Sequence, residues 1–97
     1  MILSFADEGT EDIYNGLDTK TARKTCPGSL WKAAFRKLDM LDSAVQILDL
    51  KSPPGNMLEK MKGSRKEQYS IRINDQYRIC FEWNDEGPVQ VEIVDYH

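Results

Sequence analysis

The sequence predicts an α+β fold: an N-terminal strand, two to three helices, then an antiparallel β-meander with the helices on one face. Three observations carry this. From Leu30 to Leu48 the apolar residues Leu30, Ala33, Ala34, Leu38, Leu41, Val45 and Leu48 recur at helical spacing. Beyond Ser52-Pro53-Pro54-Gly55-Asn56, which ends any helix, the period falls to two. The chain has 97 residues, 40% of them apolar, enough for one modest core, so residues 1–97 read as a single domain.

In chain order, Met1–Phe5 is short and apolar and reads as a strand. Thr10–Asn15 suits a short helix, with Thr10 as N-cap, acids in the first turn and Gly16 as the stop. Residues 16–28 are rich in Gly, Thr, Asp and Pro and read as a mobile loop. Ser29 is the expected N-cap of the main helix, whose apolar stripe packs on a sheet. A break is expected at Asp39–Asp42, with a second helical piece ending near Leu50. Met57–Met61 suits an edge strand. Tyr69–Ile73, Tyr77–Trp83 and Val89–Ile93 alternate cleanly, with turn signals at Gly63-Ser64-Arg65 and Asn84-Asp85-Glu86-Gly87. Helices on one face leave the other face of the sheet free for function.

Composition excludes several classes. The chain is too short for a two-domain enzyme with a deep cofactor crevice. No stretch approaches the ~20 apolar residues of a membrane span. The acidic Asp7-Glu8 beginning does not suit a signal peptide, so the expected compartment is the cytoplasm. Cys26, Cys80 and the single His97 do not make a structural zinc site, and the two thiols are expected reduced and buried. No carboxylate cluster suggests a metal, no glycine-rich loop cradles a nucleotide, and no cofactor is expected.

Charge is distributed in blocks that the net value of −3 conceals. Residues 1–18 carry the acids Asp7, Glu8, Glu11, Asp12 and Asp18 and no base. Residues 19–38 carry Lys20, Arg23, Lys24, Lys32, Arg36 and Lys37 and no acid. A second basic block holds Lys51, Lys60, Lys62, Arg65, Lys66 and Arg72. The two blocks either meet as one anion-binding surface or form separate solvated faces.

Register then decides which side chains share a face. A two-residue loop Asn74-Asp75 would set Ile71 opposite Arg78 and bury a charge. A three-residue loop, Asn74-Asp75-Gln76, pairs Ile71 with Ile79 and Arg72 with Arg78, and burial selects it. Two arginines then stand opposite each other, a repulsion of roughly 0.2–1 kcal/mol that Glu82, Glu92 or an anionic ligand must offset. In the last strand Val89, Val91 and Ile93 face the core, whereas Gln90, Glu92, Val94 and Tyr96 face the arginines. Guanidinium groups can stabilise a phosphoryl group in transition, an imidazole can move protons at neutral pH, and a tyrosine can stack on a base. These parts suffice for metal-free RNA cleavage by attack of the ribose 2′-hydroxyl on the adjacent phosphate.

Four segments extend the reading: Arg36-Lys37-Leu38-Asp39-Met40-Leu41-Asp42, Leu50–Asn56, Tyr69–Phe81 and the ending Val91-Glu92-Ile93-Val94-Asp95-Tyr96-His97. Together they resemble the HigB (plasmid-maintenance killer) toxins of the RelE/ParE superfamily. The resemblance implies a RelE-like α+β toxin of a type II toxin–antitoxin system that enters the ribosomal A site and cuts translated mRNA. It also implies a HigA-type helix-turn-helix antitoxin, through which alone operator DNA would be contacted; no membrane is involved. Arg78, Asp95, Tyr96 and His97 match the family's active-site positions, and Lys62 matches a basic residue before the meander. Arg72 is added from register.

In the expected roles, His97 moves protons and Arg78 and Arg72 stabilise the phosphorane. Tyr96 positions the base or ribose, and Asp95 orients the tail. Arg23, Lys24, Lys32, Arg65 and Lys66 would hold ribosomal RNA. Residues 7–18 and the following loop are expected to lie away from that RNA surface. The alternatives are a ParE-like toxin that inhibits DNA gyrase without catalysis, and a structural partner that only pairs with a repressor.

Overall fold

The structure, a computed structural model, describes residues 1–96; His97 lies outside the described residues. Strands β1 (Glu59–Lys60), β2 (Tyr69–Arg72), β3 (Tyr77–Asn84) and β4 (Gly87–Asp95) form one antiparallel sheet in that order. Asn74 shapes the β2–β3 turn, its side-chain oxygen accepting from the backbone N–H of Gln76 (2.9 Å) and Tyr77 (2.7 Å). Asn84 does the same for the β3–β4 turn, accepting from Glu86 and Gly87. The three-residue loop gives the predicted register, Ile71 opposite Ile79 and Arg72 opposite Arg78.

One strand departs from simple alternation. Between Cys80 and Glu82 the register with β4 shifts, and Gln90 adopts φ 54°. This extra residue reverses the faces of the β4 start. Val89, expected to face the core, pairs with Glu82 instead, while Pro88 opposite Trp83 is buried.

Helices α1 (Glu8–Tyr14), α2 (Lys20–Thr25) and α3 (Trp31–Ser43) cover one face of the sheet. Ile13, Ala22, Ala34, Leu38, Leu41 and Leu50 pack there with Ile71, Ile79, Phe81, Val91 and Ile93. Several sequence expectations are corrected. Met1–Phe5 is extended but forms only a single parallel bridge, Phe5 to Val91, supported by Leu3 N–H donating to Pro88 O at 2.9 Å. A Cβ at Gly87 (φ +144°) would lie 2.9 Å from Met1 O, so this pairing needs glycine there. Thr10 is not a cap; it is buried, and its hydroxyl accepts from Ile93 N–H at 3.0 Å, tying α1 to β4. The 16–28 stretch is not simply a loop, because α2 forms inside it. Thr19 caps α2 by accepting from Ala22 N–H, and the Asp12 carboxylate accepts from the hydroxyls of Thr19 and Thr21.

Ser29 lies within a 3₁₀ turn, Gly28–Leu30, rather than capping α3. The helical break falls after Ser43, not at Asp39–Asp42, and is followed by a 3₁₀ turn over Ile47–Lys51. Asp49 holds that turn by accepting from the backbone N–H groups of Val45 and Gln46. Val45 and Leu48, read as core, are exposed because the chain has left the helical path. Cys26 and Cys80 are free and buried.

Candidate active site

The face of the sheet opposite the helices is not bare. Glu59, Ser70, Cys80 and Glu92 form one cross-strand row, and Arg72, Arg78 and Val94 the next. The segment 57–68 folds over these rows. Its Arg65 donates to Glu92 on the far strand (2.7 Å) and to Gln68 (2.9 Å), and its Met61 is buried. The Glu92 carboxylate beside Arg65 raises the arginine's already high pKa. Cys80 lies beneath, and burial raises its thiol pKa, with nearby Arg65 opposing that rise.

Arg78 is therefore not on an open surface. Its Nε donates to Ser70 Oγ at 2.8 Å, and its Nη2 to the carbonyls of Met57 (2.6 Å) and Ser70 (3.3 Å). Its side chain is only 8% exposed, and Glu59 approaches its Nε at 3.9 Å. The predicted repulsion from Arg72 is offset by neither Glu82 nor Glu92. Arg72 pairs with Asp75 in the turn, Arg78 has the partners just named, and Glu92 holds Arg65.

In front of Glu59 opens a cleft of about 270 Å³, lined by Glu59, Lys60, Met61, Lys62, Ser64, Arg65 and Tyr96. Of the predicted residues the structure thus gathers Lys62, Arg65 and Tyr96 in one cleft, with Arg78 behind Glu59. Arg72 shares Arg78's face at the neighbouring position on β2. Lys66 caps the same 3₁₀ turn, Gly63–Arg65. Asp95 pairs with Tyr77, so strand pleating puts it on the face away from Arg78, where Gln76 Nε2 donates to it at 3.0 Å. Tyr96 is anchored by its backbone N–H, which donates to Gln76 O.

Arg23 and Lys24 ride on α2, Arg23 already paired with Asp18 at 2.6 Å. Lys32 lies on α3 beside an apolar groove formed with Leu17, Trp31 and Phe35. Arg23, Lys24 and Lys32 thus ride on the helices and are not among the residues lining the cleft, whereas Lys37 of the first block reaches the 51–56 segment of the second by donating to Asn56.

Sequence reasoning missed Glu59, Ser70 and the Met57 carbonyl. Glu59 was accessible in principle: alternation within the edge strand places it with Met61 on the arginine face. The Met57 carbonyl carried no sequence signal, since it depends on where a loop turns. Among the described residues no group of three or more His, Cys, Asp and Glu side chains is placed to hold a metal ion. No described helix is long and apolar enough to cross a membrane.

The architecture is that of the RelE-type toxins. The YoeB–YefM complex from Staphylococcus aureus contains a chain matching all of this one and 98% of its own length, with TM-score 0.61 at 16% identity. Residues 3–97 match the family of HigB-like toxins, described as RelE-like toxins of type II toxin–antitoxin systems. Toxin HigB-1 of Vibrio cholerae is 45% identical over 85 residues, 88% of this chain and 86% of that protein. An uncharacterized protein of Haemophilus influenzae is 42% identical over 81 residues, 84% of this chain and 77% of its own. The chain belongs to the HigB-like family: it is a type II toxin, and an antitoxin is its partner.

Proposed function

We propose that this toxin is a ribosome-dependent endoribonuclease that stops translation by cutting mRNA in the ribosomal A site. The observation that carries the reading is the cleft itself. It sets three cations, Lys60, Lys62 and Arg65, a phenol, Tyr96, and a carboxylate, Glu59, around one space of about 270 Å³, with the guanidinium of Arg78 next to that carboxylate. Cations there attract the scissile phosphate and stabilise the charge of a pentacoordinate intermediate. Tyr96, 47% exposed, offers its ring to a nucleobase.

In this reading the cleavage is metal-independent and proceeds by attack of the 2′-hydroxyl. The ribose 2′-oxygen bonds to phosphorus and yields its proton to a base, while the 5′-oxygen leaves and takes up a proton. The products are a 2′,3′-cyclic phosphate and a 5′-hydroxyl. Glu59 and His97 are the groups proposed for the two proton transfers. Lys62 and Arg72 add positive charge, and Asp95 fixes the tail through Gln76. Lys66, Arg23, Lys24 and Lys32 would touch ribosomal RNA, the last three from a different side of the molecule. The working compartment is the cytoplasm. The proposed partner is a HigA-type antitoxin with a helix-turn-helix, which alone would contact operator DNA.

Primer extension on mRNA after induction tests this. Cuts confined to translated messages are expected, lost in Arg78→Lys and His97→Ala. Variants as toxic as the parent would refute the catalytic assignment, and DNA damage with intact transcripts would instead support gyrase inhibition.

A further inference from the structure

We infer that Ser70 and the backbone carbonyl of Met57 are positioning residues for Arg78, and that the left-handed backbone at Met57 is the device that aims that carbonyl. The inference rests on the nuclease reading above and deepens it.

A guanidinium has five N–H donors in a rigid plane at the end of a flexible stem. In Arg78 the Nε hydrogen goes to Ser70 Oγ, and Nη2 donates to Met57 O and Ser70 O. One edge of the plane is thereby used by the protein, and Nη1 is left without a partner among the described residues. Ser70 is fully buried, so its hydroxyl has no competing solvent. An arginine held on one edge presents the remaining donors in a fixed direction, which electrostatic stabilisation of a phosphorane requires.

The second wall of the cradle is unusual. Met57 sits at φ 45°, ψ 53°, a region that non-glycine residues seldom adopt. The turn before it explains how the conformation is maintained. Asn56 is fully buried; its amide donates to Leu50 O (3.1 Å), Ser52 O (3.3 Å) and Met40 Sδ (3.1 Å), and its oxygen accepts from Lys37 Nζ. Met57 N–H in turn donates to Pro54 O. The loop is thus nailed to α3 up to Asn56, and the next peptide must turn left-handed for its carbonyl to reach Arg78. The Met57 side chain is 56% exposed and is not needed for packing. Strain kept by a surrounding lattice of bonds, next to a functional group, is the pattern expected of a pre-organised site.

The test is single-turnover cleavage of mRNA on programmed ribosomes, recording rate constant and amplitude separately, with melting temperature in parallel. Ser70→Ala should lower the rate constant by about 100-fold, the scale of a displaced catalytic group, at unchanged amplitude and ribosome half-saturation. Met57→Ile, whose branched side chain resists positive φ, should lower it similarly. Met57→Gly, which admits that φ freely, should rescue the rate. A fall in amplitude or melting temperature with an unchanged rate constant would show a structural role only and overturn the inference. So would parental rates in both Ser70→Ala and Met57→Ile while Arg78→Lys is inactive. A parent that cuts nothing would overturn the nuclease reading first, and this inference with it.

Discussion

The two faces of one short sheet are built by different physics. On the helix side, Ile71, Ile79, Phe81, Val91 and Ile93 meet Ile13, Ala34, Leu38 and Leu41 in an apolar layer. There Phe81 stands between the rings of Tyr69 and Trp83, with centroids 6.3 Å away on each side. On the other side, alternate residues of the same strands make Ser70, Arg78, Cys80 and Glu92, roofed by a segment with little regular structure. Burial on the first face is repaid in hydrophobic free energy. On the second it is tolerated only because each buried polar group has a partner. The difference teaches where stability and activity separate: a residue's face, more than its depth, sets which of the two a substitution removes.

Three measurements break or sharpen this contrast. The largest effect is expected on the apolar side, where Phe81→Ala should cost about 3–5 kcal/mol in denaturant unfolding. A value below about 1 kcal/mol would mean that this layer is not the source of stability. Next, a double-mutant cycle on Arg65 and Glu92, whose side chains are 36% and 27% exposed, should give a coupling of about 0.2–1 kcal/mol that falls with salt. A salt-independent coupling would show that the roof is far more tightly sealed than its exposure indicates.

The smallest effect is alkaline. Burial pushes the Cys26 thiol from 9.0 to about 11. The folded state therefore holds its proton more tightly than the unfolded chain does. That contribution is fully present below pH 9.0 and lost as pH rises towards about 11. Cys80 is shifted upward too, but with Arg65 and Arg78 opposing. Unfolding curves across this range should flatten more in Cys26→Ala than in Cys80→Ala, and the reverse order would contradict the electrostatic difference between the faces.

Much of the sheet was legible because its signals are local. Of the two loop lengths compared, only the three-residue one puts Ile71 and Ile79 on the same buried face, so the pairing of Arg72 with Arg78 followed from alternation together with the shortest compatible loop. The bulge at Gln90 was not legible, since nothing in Val89-Gln90-Val91 marks which residue is extra. Helix α2 was hidden because Thr19, Thr21 and Thr25 read as turn formers. They are stabilised by Asp12 and by the close passage of Gly9, where a Cβ would lie 1.9 Å from Thr25 Oγ1. Of the site, the residue types came from sequence and resemblance, and the gathering of Lys62, Arg65 and Tyr96 came from the structure. The burial of Arg78 could not be read in advance, because it depends on a covering loop whose path is fixed by Asn56.

The extended N-terminal segment lies alongside β4, with Phe5 bridged to Val91 and Leu3 bonded to Pro88. The same last strand supplies Glu92 to the roof and leads into Tyr96 at the cleft. Residues 3–5 must therefore meet residues 88–91 before the edge beside β4 is complete, a closure of high sequence separation that loop entropy makes slow.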